Sequence, residues 1–523
     1  MTCKKKRTGT VAATPLLRRC FGVLLSASFV SLGLTACFPV LESQGGGQTE
    51  FTPPRGVNPA DIALLDGYQI EAVATGLTFP TGVAFDDQGR VYVTESGYAY
   101  GEVVTTPRLL RVEVGGSTQV IASGTNPPWN GVTFSDGAFY VAGGTLEAGE
   151  ILRITPAGET TALVQGLPSL GDHHTNSPVV GPDGFLYFGQ GTATNSGVVG
   201  LDSFNFGWLG RYPEFHDVPC RDVTLAGKTY TTPNPLTPDP DDSVTTGAFV
   251  PFGTPTKAGQ VISGEVPCSG AIMRVAPSGG APELVAWGFR NPFGLAFSPD
   301  GQLYTMENSY DVRGSRPVFG SGDVLWKVEE DTWYGWPDFH GGRPLTDTDQ
   351  YGAPGEPPPG FVLAEHPNAS PEPVALLGVH SSSNGMDFSR NPVFGFAGEA
   401  FIAQFGDMAP GVGKVVAPVG YKVVRVDVDS GVVYDFAVNR DPSGPASKTG
   451  LEGLERPVAV RFSPDGTALY VVDFGVMTVT EDGPQPVTET GVLWRITREG
   501  GWGSEEVSTF TFCAGSLCAS VPR

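Results

Sequence analysis

The sequence is poor in charge, in cysteine and in long apolar runs. Only 17% of its 523 residues are charged, and it has 7 Cys and 6 His. It contains no Cys-x-x-Cys-His segment, which excludes c-type haem attachment, and no His/Cys spacing typical of a zinc site. The apolar run at residues 21–36 is too short for a stable membrane span. A formal net charge of −23 argues against nucleic acid as a partner.

The first 37 residues resemble a bacterial export signal. Basic residues precede the apolar run, namely Lys4, Lys5, Lys6, Arg7, Arg18 and Arg19. The run ends in Leu34-Thr35-Ala36-Cys37, which resembles a lipobox, where the cysteine thiol takes a diacylglycerol. We therefore expect a signal peptide at residues 1–36, followed by a lipidated Cys37 and a flexible tether over residues 37–67. An ordinary signal peptide cut near Ala36 is the alternative.

An exported chain would face the periplasm or the cell exterior and touch a bacterial membrane through its lipid anchor alone. Such a compartment is oxidising, so the remaining four cysteines can form disulfides. They are Cys220, Cys268, Cys513 and Cys518. Three pairings are possible, and the closeness of Cys513 to Cys518 leaves Cys220 with Cys268 as the simplest remainder. Residues 500–523 are predicted to be a short tail that is closed into a loop by such a disulfide.

A unit of two strands joined by a glycine turn recurs six times. The copies begin at Gly82, Gly131, Pro178, Gly294, Gly385 and Val458. In GLAFSPDGQLYT and several counterparts, a turn with glycine lies between alternating apolar residues, which is typical of a β-hairpin. A third strand with a basic residue between two apolar ones follows, and a fourth strand leads into the next unit. Four strands per unit are typical of a propeller blade.

The sixth unit has no clear fourth strand after Ile496, whereas an isolated copy of that strand, EAVATGL, ends at Leu77. We therefore predict an all-β, six-bladed β-propeller with four-stranded blades over residues 68–499, its ring closed by the N-terminal strand. A two-sheet sandwich is the alternative. The third blade is predicted to carry a long insertion over residues 192–270.

The segments that enter the innermost strands should converge at one mouth of the central channel. They hold the polar runs at residues 172–176, 289–292, 380–384 and 455–457. Such His, Arg and Asn side chains suit an anionic or polyhydroxylated ligand, because arginine binds carboxylates through two hydrogen bonds and histidine accepts a proton. The alternative is that these residues only satisfy their own turns.

Four segments resemble the glucose, sorbosone and aldose dehydrogenases that use pyrroloquinoline quinone (PQQ). They are GDHHTNSPVVGPDGFLYFGQG, WGFRNPFGLAFSPDGQLYTMENS, WYGWP and RPVAVRFSPDGTALYVVDFG. The resemblance implies a six-bladed propeller that binds PQQ over its channel with calcium and oxidises a sugar hydroxyl by hydride transfer to the quinone. It also implies a sugar or polyol substrate and an external electron acceptor, such as a cytochrome or a quinone.

The resemblance assigns roles to individual residues. Counting back from Gly181-Pro182-Asp183 places the general base at His173, with His174 as its competitor. The Arg-Asn-Pro motif implies a catalytic and cofactor-binding role for Arg290 and a cofactor-binding role for Asn291.

Further implied contacts are Arg456 and, more loosely, Lys414 for the cofactor, and Glu307 and Asp311 for calcium. Thr192 and Val458 stand where the family has a carboxylate and a second arginine, so two expected contacts with the quinone are missing. Two other functions stay open: a non-catalytic cell-surface propeller that binds a polysaccharide or a partner protein, and a calcium-dependent lactonase with His173 or His174 as its base.

Overall fold

The computed structural model describes residues 47–99, 103–352, 358–408, 419–480 and 483–499, and the backbone of two short C-terminal strands. These strands, Phe510–Ala514 and Leu517–Val521, pair with Cys513 opposite Cys518. Cys37 and Lys414 lie outside the described residues, as do the side chains of Cys513 and Cys518, so their predicted roles stay predictions. No helix within the described ranges is long and apolar enough to cross a membrane.

Six antiparallel sheets of four strands form the body of the molecule, which confirms the predicted six-bladed propeller. The strands are named a to d from the channel outwards. In blade 1 they are Pro80–Phe85, Val91–Glu95, Arg108–Val112 and Thr118–Ser123; in blade 2, Trp129–Ser135, Ala138–Gly143, Gly149–Ile154 and Thr160–Leu167. In blade 3 they are Val179–Val180, Leu186–Gln190, Ala271–Val275 and Glu283–Trp287; in blade 4, Pro292–Phe297, Leu303–Glu307, Gly322–Lys327 and Ala375–Val379. In blade 5 they are Ser383–Phe388, Ala400–Gln404, Lys422–Asp427 and Val432–Asn439; in blade 6, Pro457–Phe462, Ala468–Asp473, Gly491–Arg498 and Tyr68–Leu77.

The ring closes through the N-terminal side of the chain. Tyr68–Leu77 pairs antiparallel with Gly491–Arg498 and so supplies strand d of blade 6, as predicted. Adjacent blades contact one another through their inner strands all the way round, blade 6 against blade 1 included. Closure therefore joins the two ends of the propeller in one sheet.

Glycines allow the inner strands of neighbouring blades to approach closely. A Cβ atom at Gly294 would lie 2.2 Å from the carbonyl oxygen of Asn384, and one at Gly385 would lie 2.7 Å from the Cα atom of Ala459. No side chain fits at such distances. The cavity between the six inner strands measures about 30 Å³. That space holds about one water molecule, so it is too small for a ligand of the size of a sugar.

Residues 47–64, the N-terminal strap, lie against blades 5 and 6. Ile62–Leu64 pairs with Val432–Asn439 as a fifth strand of blade 5. Nη2 of Arg55 lies 2.6 Å from Oδ2 of Asp473, and both side chains are nearly fully buried. Strand pairing and a buried ion pair thus hold this part of the predicted tether, residues 37–67, against blades 5 and 6. Residues 37–46 lie outside the described residues.

The insertion at residues 192–270 leaves blade 3 between strands b and c. It contains the helices Leu201–Asn205 and Trp208–Arg211, and two hairpins that pair Val223–Ala226 with Ala258–Ile262 and Thr229–Pro233 with Ser243–Gly247. Cys220 and Cys268 form a disulfide, which confirms this predicted pairing. The bond closes the part of the insertion between these two residues, which contains both strand pairs, whereas the two helices precede it.

A second excursion lies between strands c and d of blade 4. It contains the hairpin Phe339–His340 with Arg343–Pro344 and the helix Thr348–Tyr351. A fully buried ion pair, Arg316 with Asp338 at 2.8 Å, joins this excursion to the preceding loop of blade 4. The remaining elements are the 3-10 turn Pro59–Asp61, the helix Ala446–Thr449, and the hairpins Tyr98–Ala99 with Val103–Val104 and Met477–Thr480 with Gly483–Pro486.

Candidate functional site

The loops that enter the inner strands meet at one mouth of the channel, where asparagines link them. Nδ2 of Asn176 donates to Oδ1 of Asn291 at 2.9 Å, and Nδ2 of Asn291 donates to Oδ1 of Asn308 at 2.9 Å. Asn308 in turn donates to the carbonyl oxygen of Ser383 at 2.8 Å. This chain of amides connects blades 3, 4 and 5. It fixes Asn291 by both ends of its side chain.

The other half of the mouth is apolar. The rings of Phe79 and Phe405 each lie 5.3 Å from the ring of Phe474, and all three side chains are buried. These residues belong to blades 1, 5 and 6. The polar groups that could bind a ligand are thus concentrated on the side of blades 3 to 5.

His173 lies on the polar side, in the loop before blade 3. Its Nδ1 atom is 2.9 Å from the carbonyl oxygen of Thr192, so the proton lies on Nδ1 and Nε2 carries the lone pair. Among the described residues Nε2 has no hydrogen-bond partner. Burial, together with the charges of Arg290 and Arg313, holds the pKa of His173 well below its usual range. At neutral pH this side chain is therefore an uncharged imidazole with a free acceptor nitrogen.

His174 is directed to the insertion. Its Nδ1 atom lies 3.2 Å from the carbonyl oxygen of Ser169, and its ring meets Trp208 edge-on with centroids 5.9 Å apart. Burial lowers the pKa of His174 to about 4. Of the two adjacent histidines, His173 is the one that shares the environment of the mouth arginines.

Arg290 is held rigidly beside His173. Its Nη2 atom is 2.8 Å from Oδ2 of Asp311, and its Nε atom donates to the carbonyl oxygen and to Oδ1 of Asn195, both at 3.2 Å. The side chain is only 3% exposed. Its Nη1 atom has no hydrogen-bond partner in the described part of the chain. Nε and Nη2 are therefore engaged within the protein, and Nη1 is available to donate to a ligand.

A second arginine, Arg313, completes the polar side. Its Nη1 atom lies 2.8 Å from Oδ2 of Asp172 and 2.7 Å from Oδ2 of Asp202, and its Nε atom lies 3.0 Å from Oδ2 of Asp311. Asp172 precedes His173, and Asp202 belongs to the insertion helix Leu201–Asn205. We call Asp172, Asp202, Arg290, Asp311 and Arg313 the ionic cluster. It joins the insertion to the loop that carries His173.

The carboxylates of the ionic cluster differ in proton affinity. Burial raises the pKa of Asp172 to about 6, although Arg313 opposes this. Burial would also raise the pKa of Asp311, but Arg290 and Arg313 outweigh it and hold that pKa below its usual range. With Asp172 protonated the cluster is electrically neutral, and with Asp172 ionised it carries one negative charge.

Glu307 is occupied by hydrogen bonds within the protein. Its Oε1 atom accepts from the backbone N–H of Arg290 and its Oε2 atom accepts from Nε1 of Trp326, both at 2.5 Å. Burial raises the pKa of Glu307 to about 7. Among the described residues, no group of three His, Cys, Asp or Glu side chains is arranged to hold a metal ion. Glu307 and Asp311, the predicted calcium ligands, thus have other partners.

Arg456 lies in the apolar half, against blade 5. Its Nη1 atom is 3.3 to 3.4 Å from the carbonyl oxygens of Phe405, Gly406 and Asp407. Its guanidinium also lies 5.3 Å from the ring centroid of Tyr421. Buried to 1% exposure, it serves the packing of blade 5 on blade 6.

The structure therefore brings three of the predicted residues together, His173, Arg290 and Asn291. Asp311 joins them as an ion-pair partner of both arginines. Asp172 belongs to the polar run 172–176 that the sequence places at the mouth, although the sequence assigns it no role. The residues that sequence reasoning missed are Asp202 and Arg313. Asp202 and Arg313 lie in long segments between blade strands, and the repeat does not predict where residues of such segments are placed.

Comparison with known proteins identifies the fold. No protein-family model matches this sequence, and no curated protein sequence matches it. The holo form of the pyranose dehydrogenase PQQ domain from Coprinopsis cinerea is 16% identical and aligns over 86% of this chain and 98% of its own, with a TM-score of 0.51. A calcium structure of carbohydrate-active enzymes family AA12 from Trichoderma reesei is 17% identical over 86% and 99% of the two chains, with a TM-score of 0.50. The chain has the propeller fold of these two structures.

Proposed function

We propose that this protein is a sugar dehydrogenase that removes hydride from a sugar or polyol carbon and the proton from its hydroxyl. The observation that carries the proposal is His173, a neutral imidazole whose free Nε2 atom shares the mouth with Arg290. An imidazole in this state can accept the hydroxyl proton as the C–H bond breaks. The dehydrogenase resemblance of the segments around both residues, and the likeness in fold to a pyranose dehydrogenase domain, support the same reaction.

The fixed geometry of the mouth suits this chemistry. The hydrogen bond from Nδ1 to Thr192 holds the tautomer and the orientation of His173, so no reorganisation is needed before proton transfer. Arg290 can place a guanidinium nitrogen on an oxygen that gains negative charge. Asn291 is immobilised by its neighbours, so it can offer a polar group in a defined direction.

The polar half offers PQQ two hydrogen-bond donors but no net positive charge. Nη1 of Arg290 and Nη2 of Arg313 have no partners in the described part of the chain, and a guanidinium nitrogen is a suitable donor for a quinone oxygen or a carboxylate. When bound there, PQQ would supply the two-electron acceptor for the hydride. We assign Arg456 no part in the cofactor site, because its Nη1 atom already donates to three carbonyl oxygens of blade 5. We assign no calcium ligand, since both oxygens of Glu307 are engaged.

Electrons would then leave to an external acceptor, such as a cytochrome or a quinone. We also propose that the chain is exported and anchored to a bacterial membrane through Cys37. Its first 37 residues support this, as does the disulfide between Cys220 and Cys268, a bond typical of exported proteins.

The test is dye reduction by the full chain with added PQQ and calcium and a panel of aldoses, comparing His173→Gln with His174→Gln. We expect His173→Gln to lose at least about a hundredfold in rate with sugar affinity nearly unchanged. His174→Gln, the matched control, should keep most of the rate because its ring faces the insertion. Equal losses in both variants, or no turnover despite bound PQQ, would contradict the proposal.

A second candidate is a non-catalytic propeller that binds a neutral saccharide. The charge of the ionic cluster favours it, because three carboxylates already balance the two arginines and leave no surplus positive charge for an anionic cofactor. Sugar binding by calorimetry without any PQQ binding would select this candidate.

A further inference from the structure

The insertion carries an exposed aromatic ring beside the ionic cluster. Helix Leu201–Asn205 ends at Phe206, whose backbone N–H donates to the carbonyl oxygen of Asp202 at 3.0 Å. Its side chain is 43% exposed. Single exposed apolar side chains are common on protein surfaces, and Phe206 is distinguished from the others by its place beside the ionic cluster.

The position of Phe206 is fixed from two directions. The Cζ atom of Arg313 lies 5.2 Å from the centroid of the ring, a cation–π contact that covers one face. Arg313 is itself bound to Asp202 of the same helix and to Asp172. The guanidinium of Arg313 therefore lies between the Phe206 ring and the loop that carries His173.

This arrangement matches the two sides of a sugar. A pyranose ring has an apolar face of C–H groups and a rim of hydroxyls. An aromatic ring packs on the apolar face, while Arg, Asp and His groups hydrogen-bond the hydroxyls. Phe206 offers such a ring through the face that Arg313 leaves uncovered, and the ionic cluster offers the polar groups.

We propose that Phe206 is a specificity-determining residue on which a pyranose ring of the saccharide stacks. This inference rests on the proposed function for its substrate class, and it does not depend on the cofactor or the redox step. The insertion then determines which sugars bind, while His173 and Arg290 face the reacting carbon.

Calorimetry on the full chain without PQQ tests this directly, with D-glucose, D-xylose and cellobiose as the probes. We expect Phe206→Ala to weaken binding of the best probe about three- to tenfold, because a stacked aromatic contact contributes that much to affinity. Phe206→Tyr should retain the affinity, and Phe206→Leu, which keeps apolar surface without a flat ring, should lose most of it. Phe204→Ala is the matched control, since Phe204 is 37% exposed on the same helix and should change the affinity less than twofold.

A thermal melt of each variant separates stacking from folding, because the loss of a partly exposed ring and its contact with Arg313 should lower the unfolding midpoint only slightly. Equal affinities for Phe206→Ala and the unmodified chain would overturn the inference, as would a failure of the unmodified chain to bind any of the three sugars. The dehydrogenase proposal is tested separately by the turnover of His173→Gln, so the two can fail independently.

Discussion

Buried carboxylates at the end of strand b have a common structural task in three blades. Glu95 accepts the backbone N–H of Thr78, Glu307 that of Arg290, and Asp473 that of Arg456. Each of them thereby fixes the loop that enters its own blade. A carboxylate is well suited to this task because its oxygens accept several hydrogen bonds at once.

Replacing Glu307 by Gln should test this structural role. In Gln an NH2 group replaces one of the two acceptor oxygens. Either the Arg290 N–H or the Trp326 Nε1–H would then be left unpaired in the interior. We expect a loss of about 1–3 kcal/mol in the free energy of unfolding, measured with urea. The loss should be the same with calcium and with a chelator; a calcium-dependent difference would instead support the predicted metal role.

Arg313 should stabilise the mouth more than a surface arginine does. Arg313→Met leaves Asp172 and Asp202 without their shared partner in a buried setting, which costs on the order of 2–4 kcal/mol. Adding Asp172→Asn to this variant should recover part of the loss, because it removes one unpaired charge. A double-mutant cycle by urea unfolding measures the coupling, and strictly additive losses would argue against the ion pair.

At the residue scale, the sequence predicts functional residues where a motif fixes their position relative to the repeated hairpin. His173 and Arg290 stand at counted distances from repeated hairpins, so their convergence follows from the blade geometry. The occupation of Arg456 by carbonyl oxygens could not be predicted in this way. It depends on the path of a loop in the neighbouring blade.

At the scale of elements, the insertion is held by its disulfide and by the ionic cluster. Cys220 and Cys268 are 48 residues apart in sequence. Asp202, between Thr192 and the disulfide, reaches Arg313 at the mouth. The first helix of the insertion is thus docked on the mouth through Asp202, and the rest of the insertion is closed by the disulfide, so both parts are held on a rigid scaffold.

Removing the disulfide in a Cys220→Ser, Cys268→Ser double variant should destabilise the protein. Opening a loop of this length is expected to cost about 2–4 kcal/mol. Thermal melts should show a lower midpoint, whereas sugar affinity should change little, because Asp202 and Phe206 lie outside the loop that the disulfide closes and are held by Arg313. Reducing agent should reproduce the shift in the unmodified chain and leave the double variant unaffected; an unchanged midpoint in both would contradict this account.

The N-terminal strap should contribute to stability through Arg55. Arg55→Met breaks the buried pair with Asp473 and should cost about 2–4 kcal/mol, reported by the urea midpoint. Lys327→Met removes an exposed pair with Glu329 at 3.6 Å and serves as the control, with an expected change below about 0.5 kcal/mol. Similar shifts in both variants would show that burial of the pair does not matter.

At the scale of the whole molecule, the six repeats and the displaced strand determine the ring. Period-two alternation, glycine turns and the missing last strand were sufficient to predict the blade number, the strand count and the closure. The strap was not predictable, because residues 47–64 carry no repeat and their Gly- and Pro-rich composition is also typical of linkers. Their order comes from partners in blades 5 and 6, far away in sequence.

The stability of the whole protein should fall as pH rises from about 5 to about 8. Burial raises the pKa of Asp172 to about 6 and, against opposing hydrogen bonds or charges, those of Asp217, Glu307 and Glu455 to about 7. Unfolded carboxyl groups titrate near pH 4. Between about pH 4 and 7 these four carboxyl groups therefore hold more protons in the folded than in the unfolded chain, and they make the free energy of unfolding decrease with rising pH. The lowered pKa values of His173, His174 and His340 act in the opposite direction below about pH 6.5 and offset part of this decrease. Below pH 4 the opposite holds for Asp311, whose depressed pKa makes its stabilisation disappear on acidification.

Urea unfolding at pH 5 and pH 8 measures this dependence, and we expect a higher midpoint at pH 5. The net charge of −23 acts in the same direction through self-repulsion, so a single-site variant is needed to separate the two causes. Asp217→Asn is suitable, because Asp217 accepts from the Ala193 N–H and the Thr194 hydroxyl and makes no ion pair among the described residues. The variant should lose part of the difference between the two pH values while its net charge changes by only one unit. If Asp217→Asn kept the whole difference between the two pH values, Asp217 would be ionised in the folded protein over this range, contrary to its raised pKa.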